Sequence, residues 1–110
     1  MAVDSIVSAG CILSGSYVNR SVIFNNVKIE SCSEVSHSIV MNDSLIGHNC
    51  KIRNTIIDRR CEIPDGMVIG YDKARDAERF YVSPGGVTLV SAEMLENLMK
   101  FPQKELVDVA

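Results

Sequence analysis

Tryptophan is absent from the 110 residues, and aromatic side chains together make up only 5% of them. A core without large rings has to be filled by aliphatic side chains. No polybasic run occurs and the formal net charge is -3, so a general nucleic-acid or membrane-surface role finds no support. No apolar stretch approaches the ~18 residues that a membrane span requires, and the N-terminus lacks the pattern of a signal peptide. The four cysteines, Cys11, Cys32, Cys50 and Cys61, form no C-x-x-C pair and fit no zinc spacing. Oxidised secreted scaffolds are usually shorter and denser in cysteine, so reduced thiols in a cytoplasmic protein are expected. The length suits one domain and is too small for two independent cores.

What the chain does contain is a repeat. Val18-Asn-Arg-Ser-Val22, Val35-Ser-His-Ser-Ile39 and Ile52-Arg-Asn-Thr-Ile56 all read aliphatic, polar, polar, Ser/Thr, aliphatic, and they start 17 residues apart. Six-residue rungs led by Ile23, Val40 and Ile57, and then by Ile29, Ile46 and Ile63, complete each period. Upstream, Ile6 and Ile12 lead two further rungs, and Ile69-Gly70 opens another. All eleven lead positions from Ile6 to Ile63 are Val or Ile.

A short β-branched strand every five or six residues, set off by polar turns, suits a triangular solenoid. Each lead residue points inward and stacks on its equivalent one coil later. The fifth rung position is often small (Gly10, Ser16, Ser33, Ser44, Cys50, Cys61), as a narrow interior corner requires. The i, i+3, i+4, i+7 pattern of an amphipathic helix is not sustained here. The expected fold is all-β: a left-handed parallel β-helix of hexapeptide type over residues 6–70, with handedness taken from the repeat type.

The two ends differ. Residues 71–110 read as a helical cap and tail. Asp72 is placed to cap a charged helix reaching Arg79, Ser83-Pro-Gly-Gly86 is a turn, and Val87–Val90 is a strand. Ser91 caps a last helix to Lys100 whose apolar stripe is Met94, Leu95, Leu98 and Met99, ended by Pro102. Residues 1–5 read as a linker start, leaving the first rung with an open sheet edge. An uncapped end implies a larger domain upstream, with Met1 an introduced start.

Several segments also resemble a known family. Ser14-Gly-Ser16, Ile57-Asp-Arg59 and Ile63-Pro-Asp-Gly-Met-Val-Ile-Gly70 are similar to the C-terminal domain of bacterial glucose-1-phosphate adenylyltransferases, the ADP-glucose pyrophosphorylases. So are Asp76-Ala-Glu-Arg-Phe-Tyr81, Gly86-Val-Thr-Leu-Val90 and Glu93-Met-Leu95. The resemblance runs from about residue 4 to about residue 98.

The resemblance implies a parent enzyme that makes ADP-glucose and pyrophosphate from ATP and glucose 1-phosphate for glycogen synthesis. Its N-terminal nucleotidyltransferase domain binds ATP, Mg²⁺ and the sugar phosphate. The glycine-rich loop and metal carboxylates of that domain do not occur in these residues, so no catalytic residue, metal or cofactor is expected in this segment. Its implied partners are that domain, further copies in a homotetramer, and sugar-phosphate or nucleotide effectors. Arg59 matches a family arginine able to meet phosphate oxygens through a bidentate fork, against the alternative of a solvated corner arginine. Arg53, Arg60 and Arg79 would extend that basic surface. Some family members carry arginines around the last helix where this chain has Ala92 and Glu96, which puts the effector's identity in doubt.

Two other classes compete. A stand-alone hexapeptide acyltransferase would need a β-helix histidine as general base. Only His37 and His48 exist, and His48 is the candidate, although a turn histidine usually just faces solvent. No long loop interrupts the periods to cover an acyl carrier. A β-helix carbonic anhydrase needs three histidines and is excluded. A purely structural oligomerisation module would instead bury a flat aliphatic patch against a twin, with Tyr17, Phe24 and Met41 as candidate contributors.

Overall fold

The structure is a computed structural model that describes residues 1–100. The first coil carries β1 (Ala2–Val3), β2 (Ile6–Val7) and β3 (Ile12–Leu13). The second carries β4 (Tyr17–Asn19), β5 (Val22–Ile23) and β6 (Lys28–Ile29), and the third β7 (Glu34–Ser36), β8 (Ile39–Val40) and β9 (Leu45–Ile46). The fourth has β10 (Lys51–Arg53), β11 (Thr55–Ile57) and β12 (Glu62–Ile63), and β13 (Val68–Ile69) opens a fifth. Then follow α1 (Lys73–Arg79), β14 (Tyr81–Val82), β15 (Thr88–Val90) and α2 (Ala92–Lys100).

Strands one coil apart pair in parallel and build three faces. Face one is β1-β4-β7-β10-β13 and face three is β3-β6-β9-β12. Face two runs β2-β5-β8-β11-β15 and ends on β14, which pairs antiparallel with β15. The result is the left-handed parallel β-helix of the hexapeptide type.

The inward residues stack as columns: Val18, Val35, Ile52 and Ile69 on face one, with Ile23, Val40, Ile57 and Val90 on face two. All eight are fully buried. Each contributes about 1.5–3 kcal/mol of hydrophobic stabilisation. Corners turn through single residues in the left-handed backbone region. Asn26, Asp43 and Arg60 form one such column, and Arg20, His37 and Asn54 another.

The fourth position of the repeat has a physical role. Ser21, Ser38 and Thr55 are buried, and each hydroxyl donates to the carbonyl two residues before it. Each also accepts, where a neighbour follows, from the backbone N–H one coil on: Ser38 N–H to Ser21 Oγ at 3.1 Å, and Thr55 N–H to Ser38 Oγ at 3.2 Å. Ser5 Oγ starts this ladder by accepting from Ser21 N–H. A buried polar corner is thereby satisfied without water.

The first coil departs from the expected frame. Ala2 pairs with Val18, Val7 with Ile23 and Leu13 with Ile29, a step of 16 residues. The inward positions are therefore Val7 and Leu13. Ile6 and Ile12, expected to lead inward, point outward and are 67% and 54% exposed. One residue is missing between Leu13 and Val18 relative to later coils, and this shifts the alternation. Residues 1–5 are not only a linker, because Ala2–Val3 adds a strand to face one.

Within the described residues the cap carries α1, the β14–β15 pair and α2. Asp72 caps α1 by accepting from Arg75 N–H, and Ser91 Oγ accepts from Met94 N–H at the start of α2. Leu95 is buried while Met99, at the far end of the stripe, is 67% exposed. Pro102, expected to end α2, lies outside the described residues. What the sequence did not indicate is that β15 rejoins the solenoid in parallel with β11, as Ile57 pairs with Val90.

Candidate ligand cleft and the cap that shapes it

The cap rests on a buried carboxylate. Asp76 is 1% exposed; its Oδ2 accepts from Gly70 N–H at 2.8 Å and from Thr88 Oγ1 at 3.4 Å. Its Oδ1 accepts from Arg79 Nη2 at 3.0 Å, and the same nitrogen donates to Val68 O at 2.7 Å. Four segments meet on the Asp76–Arg79 pair: the last strand of face one through Arg79, and the turn after it, α1 and β15 through Asp76. Gly70 is required there, since a Cβ at its φ of +92° would lie 1.7 Å from Arg53 O.

With α1 and β15 fixed, α2 lies against β12 and leaves a cleft of about 620 Å³ between the helix and face three. Its apolar floor includes Leu45, Ile63, Pro64 and Leu95. Arg60 and Lys100 bring positive charge to its walls, and Glu30, Glu62, Asp65 and Glu96 bring negative charge. Arg60 is held there by its corner: it sits at φ +58° and its N–H donates to Asn42 O. Such a cleft suits a small amphiphilic ligand, with an apolar part on the floor and anionic groups on the two cations.

The four arginines singled out by sequence do not form one patch. Arg59 and Arg60 are consecutive exposed residues on the corner between faces two and three, and Arg60 alone lines the cleft. Arg53 lies on face one, its guanidinium 4.3 Å from the centre of the Tyr71 ring and its Nε donating to Gly70 O. Arg79 is ion-paired to Asp76 with its side chain 7% exposed, and a second groove of about 610 Å³ runs past it. A guanidinium already held by a buried carboxylate has less to offer a phosphate.

His48 is exposed and its Nε2 lies 3.7 Å from Glu30, which also meets Lys28 at 3.7 Å. It is not among the residues that line the cleft. Among the described residues, no three His, Cys, Asp or Glu side chains converge to hold a metal ion, and no helix is long and apolar enough to cross a membrane. All four cysteines are free thiols, with Cys50 and Cys61 fully buried. Burial pushes the Cys61 thiol up to about 11, with the Asp58 carboxylate adding to the effect. Cys50 is raised as well, chiefly by burial.

Comparison with known proteins gives a consistent answer. The family model described as GlmU-like, C-terminal hexapeptide, matches residues 1–90. The glucose-1-phosphate adenylyltransferase of Nitrosococcus oceani is 50% identical over 95 residues, covering 86% of this chain and 22% of the relative. That of Albidiferax ferrireducens is 49% identical over 98 residues, with 89% and 23% covered. A Shewanella baltica relative of the same name is 55% identical over 96 residues, with 86% and 23% covered. The chain thus spans under a quarter of the length of these relatives and matches their C-terminal part. With its coil geometry and this match, the chain belongs to the GlmU-like C-terminal hexapeptide family and is similar, within it, to the C-terminal part of glucose-1-phosphate adenylyltransferases.

Proposed function

We propose that this chain is the regulatory and assembly domain of a cytoplasmic ADP-glucose pyrophosphorylase, the enzyme that converts ATP and glucose 1-phosphate to ADP-glucose and pyrophosphate. The observation that carries this reading is the identity of about half over most of the chain with the C-terminal part of enzymes of that name. In this reading the ATP, Mg²⁺ and sugar-phosphate sites belong to a nucleotidyltransferase domain outside these residues. The segment alone is then inactive, and it serves a homotetramer by binding effectors and joining subunits.

The cleft beside α2 is the proposed effector site. Arg60 and Lys100 would take the phosphate, with Arg59 beside them at the corner. Arg53 and Arg79 drop out of this proposal, since Tyr71 and Asp76 hold them. Four carboxylates against two cations disfavour a ligand with many phosphates, and an apolar floor favours one with a hydrophobic portion.

Calorimetry with fructose 1,6-bisphosphate, AMP and acetyl-CoA tests the reading. Binding of a phosphorylated effector that weakens about tenfold or more in Arg60→Ala supports it. Binding of acetyl-CoA alone, abolished in His48→Ala, would replace it with an acyltransferase.

A further inference from the structure

The corner between faces one and two differs in charge from the other two corners. Asn19, Ser36 and Arg53 end β4, β7 and β10 there and form one column. Arg20, His37 and Asn54 follow them in left-handed positions and form a second. Arg20, His37, Arg53 and Asn54 are exposed, with no carboxylate between them. Among the described residues, neither Arg20 nor His37 makes an ion pair. Asp4, in the first coil, opens the second column beyond Arg20. The other corners are mixed. Between faces two and three, Asp43 and Asp58 accompany Arg59 and Arg60. Between faces three and one, His48 meets Glu30, and its N–H donates to Asp65 one coil on.

The backbone turns its acceptors inward at the first corner. Asn19 O accepts from His37 N–H and Ser21 Oγ, and Ser36 O accepts from Asn54 N–H and Ser38 Oγ. Arg53 O accepts from Thr55 Oγ1. Solvent therefore meets chiefly donor groups: two guanidiniums, an imidazole, two side-chain amides and the Ser36 hydroxyl. Coils lie ~4.8 Å apart, so the cations of three successive coils span about 10 Å along the axis. Arg53 is already oriented by Tyr71 and by Gly70 O.

We propose that this corner binds the phosphoanhydride chain of a polyphosphate, laid along the solenoid axis with its oxygens on Arg20, His37 and Arg53. One exposed ion pair holds little, so orthophosphate binds weakly, whereas a linear anion collects all three cations. An acidic peptide needs an apolar seat or an open strand edge. The corner offers neither, since its backbone N–H groups are bonded between coils. A nucleic acid needs a longer basic track than three side chains on a chain of net charge -3. This site shares no residue with the cleft beside α2 and does not depend on the regulatory reading.

The test is calorimetry and amide spectra of the 110-residue chain, titrated at low salt with orthophosphate, pyrophosphate, tripolyphosphate and ATP. Tripolyphosphate should bind with a Kd on the order of 100 µM, and orthophosphate about tenfold more weakly or worse. Shifts should centre on Arg20, His37 and Asn54. Arg20→Asn and His37→Asn should each weaken tripolyphosphate binding about three- to tenfold. Asparagine suits a left-handed position, and Asn54 already occupies one in this column. Asp4→Asn removes the carboxylate next to Arg20, and Asn54→Arg adds a fourth cation. Both should tighten binding about two- to fivefold, a gain that general destabilisation cannot produce. ATP that matches tripolyphosphate identifies a nucleotide's phosphate tail as the ligand, and ATP that binds more weakly identifies free polyphosphate. Either result supports the site. No binding, equal affinity for orthophosphate and tripolyphosphate, shifts confined to Arg59 and Arg60, or variants that bind like wild type would overturn the proposal.

Discussion

Ser38 Oγ accepts the Thr55 backbone N–H at 3.2 Å while donating to Ser36 O at 2.7 Å. One buried hydroxyl thus joins two coils and closes its own corner. This explains why each period places Ser or Thr before the aliphatic residue that opens face two.

Ser38→Ala should leave a buried N–H on Thr55 without a partner and cost about 1–3 kcal/mol. Ser38→Thr should keep most of the stability, because Thr55 already occupies the same column. Urea unfolding of the three proteins checks this, and an alanine variant as stable as wild type would refute the ladder's role.

Asp76→Ala should be among the most damaging single changes, at about 3–5 kcal/mol, since it leaves the buried Arg79 guanidinium uncompensated. Gly70 N–H and Thr88 Oγ1 lose their acceptor at the same time. Loss of protection at Gly70 and across α1 in hydrogen exchange would report the same event locally. Unchanged stability would mean that the cap does not depend on this carboxylate.

Two glycines separate backbone strain from steric exclusion. Gly66 has φ +75° with no atom within 4 Å of the place a methyl group would take, so Gly66→Ala should cost about 1 kcal/mol. Gly70→Ala meets Arg53 O and should cost about 3 kcal/mol or more. Thermal unfolding of both variants checks the order, and equal losses would contradict it.

Cys61 is raised to about 11 from an ordinary thiol value of 9.0. The folded state therefore keeps a proton that the unfolded state releases. The stability associated with that proton is fully present below pH 9 and is lost as the pH rises towards about 11. Denaturant midpoints measured across this window should fall more steeply for wild type than for Cys61→Ala. Parallel curves would show that the thiol does not contribute. Exposed Cys32 should alkylate first at pH 8, with Cys50 and Cys61 protected until unfolding.

The solenoid was legible because β-branched residues recur at a fixed step from Val18 to Ile69, and only stacking explains that regularity. The first coil misled because Ile6-Val7 and Ile12-Leu13 are both aliphatic pairs. Alternation cannot say which member points inward, and the register follows from a residue missing after Leu13. The return of β15 to face two depends on contacts across more than thirty residues, beyond the reach of any local pattern. Asp76 sits in a run of charges that reads as a solvated helix, and nothing local marks it as buried. The cleft was hidden for the same reason, because it exists only once α2 docks on face three. Arg60 is legible only as an extension of the basic surface around Arg59, and the acidic residues that share the cleft with it are not legible at all.

The most direct test of the functional reading is a segment exchange. This chain replaces the matching C-terminal part of the Nitrosococcus oceani relative, and ADP-glucose formation from ATP and glucose 1-phosphate is measured. The expected result is an assembled, active chimera whose response to fructose 1,6-bisphosphate or AMP changes with Arg60→Ala. A chimera that folds and assembles but responds to no effector, or one that fails to assemble although the segment is folded, would contradict the account.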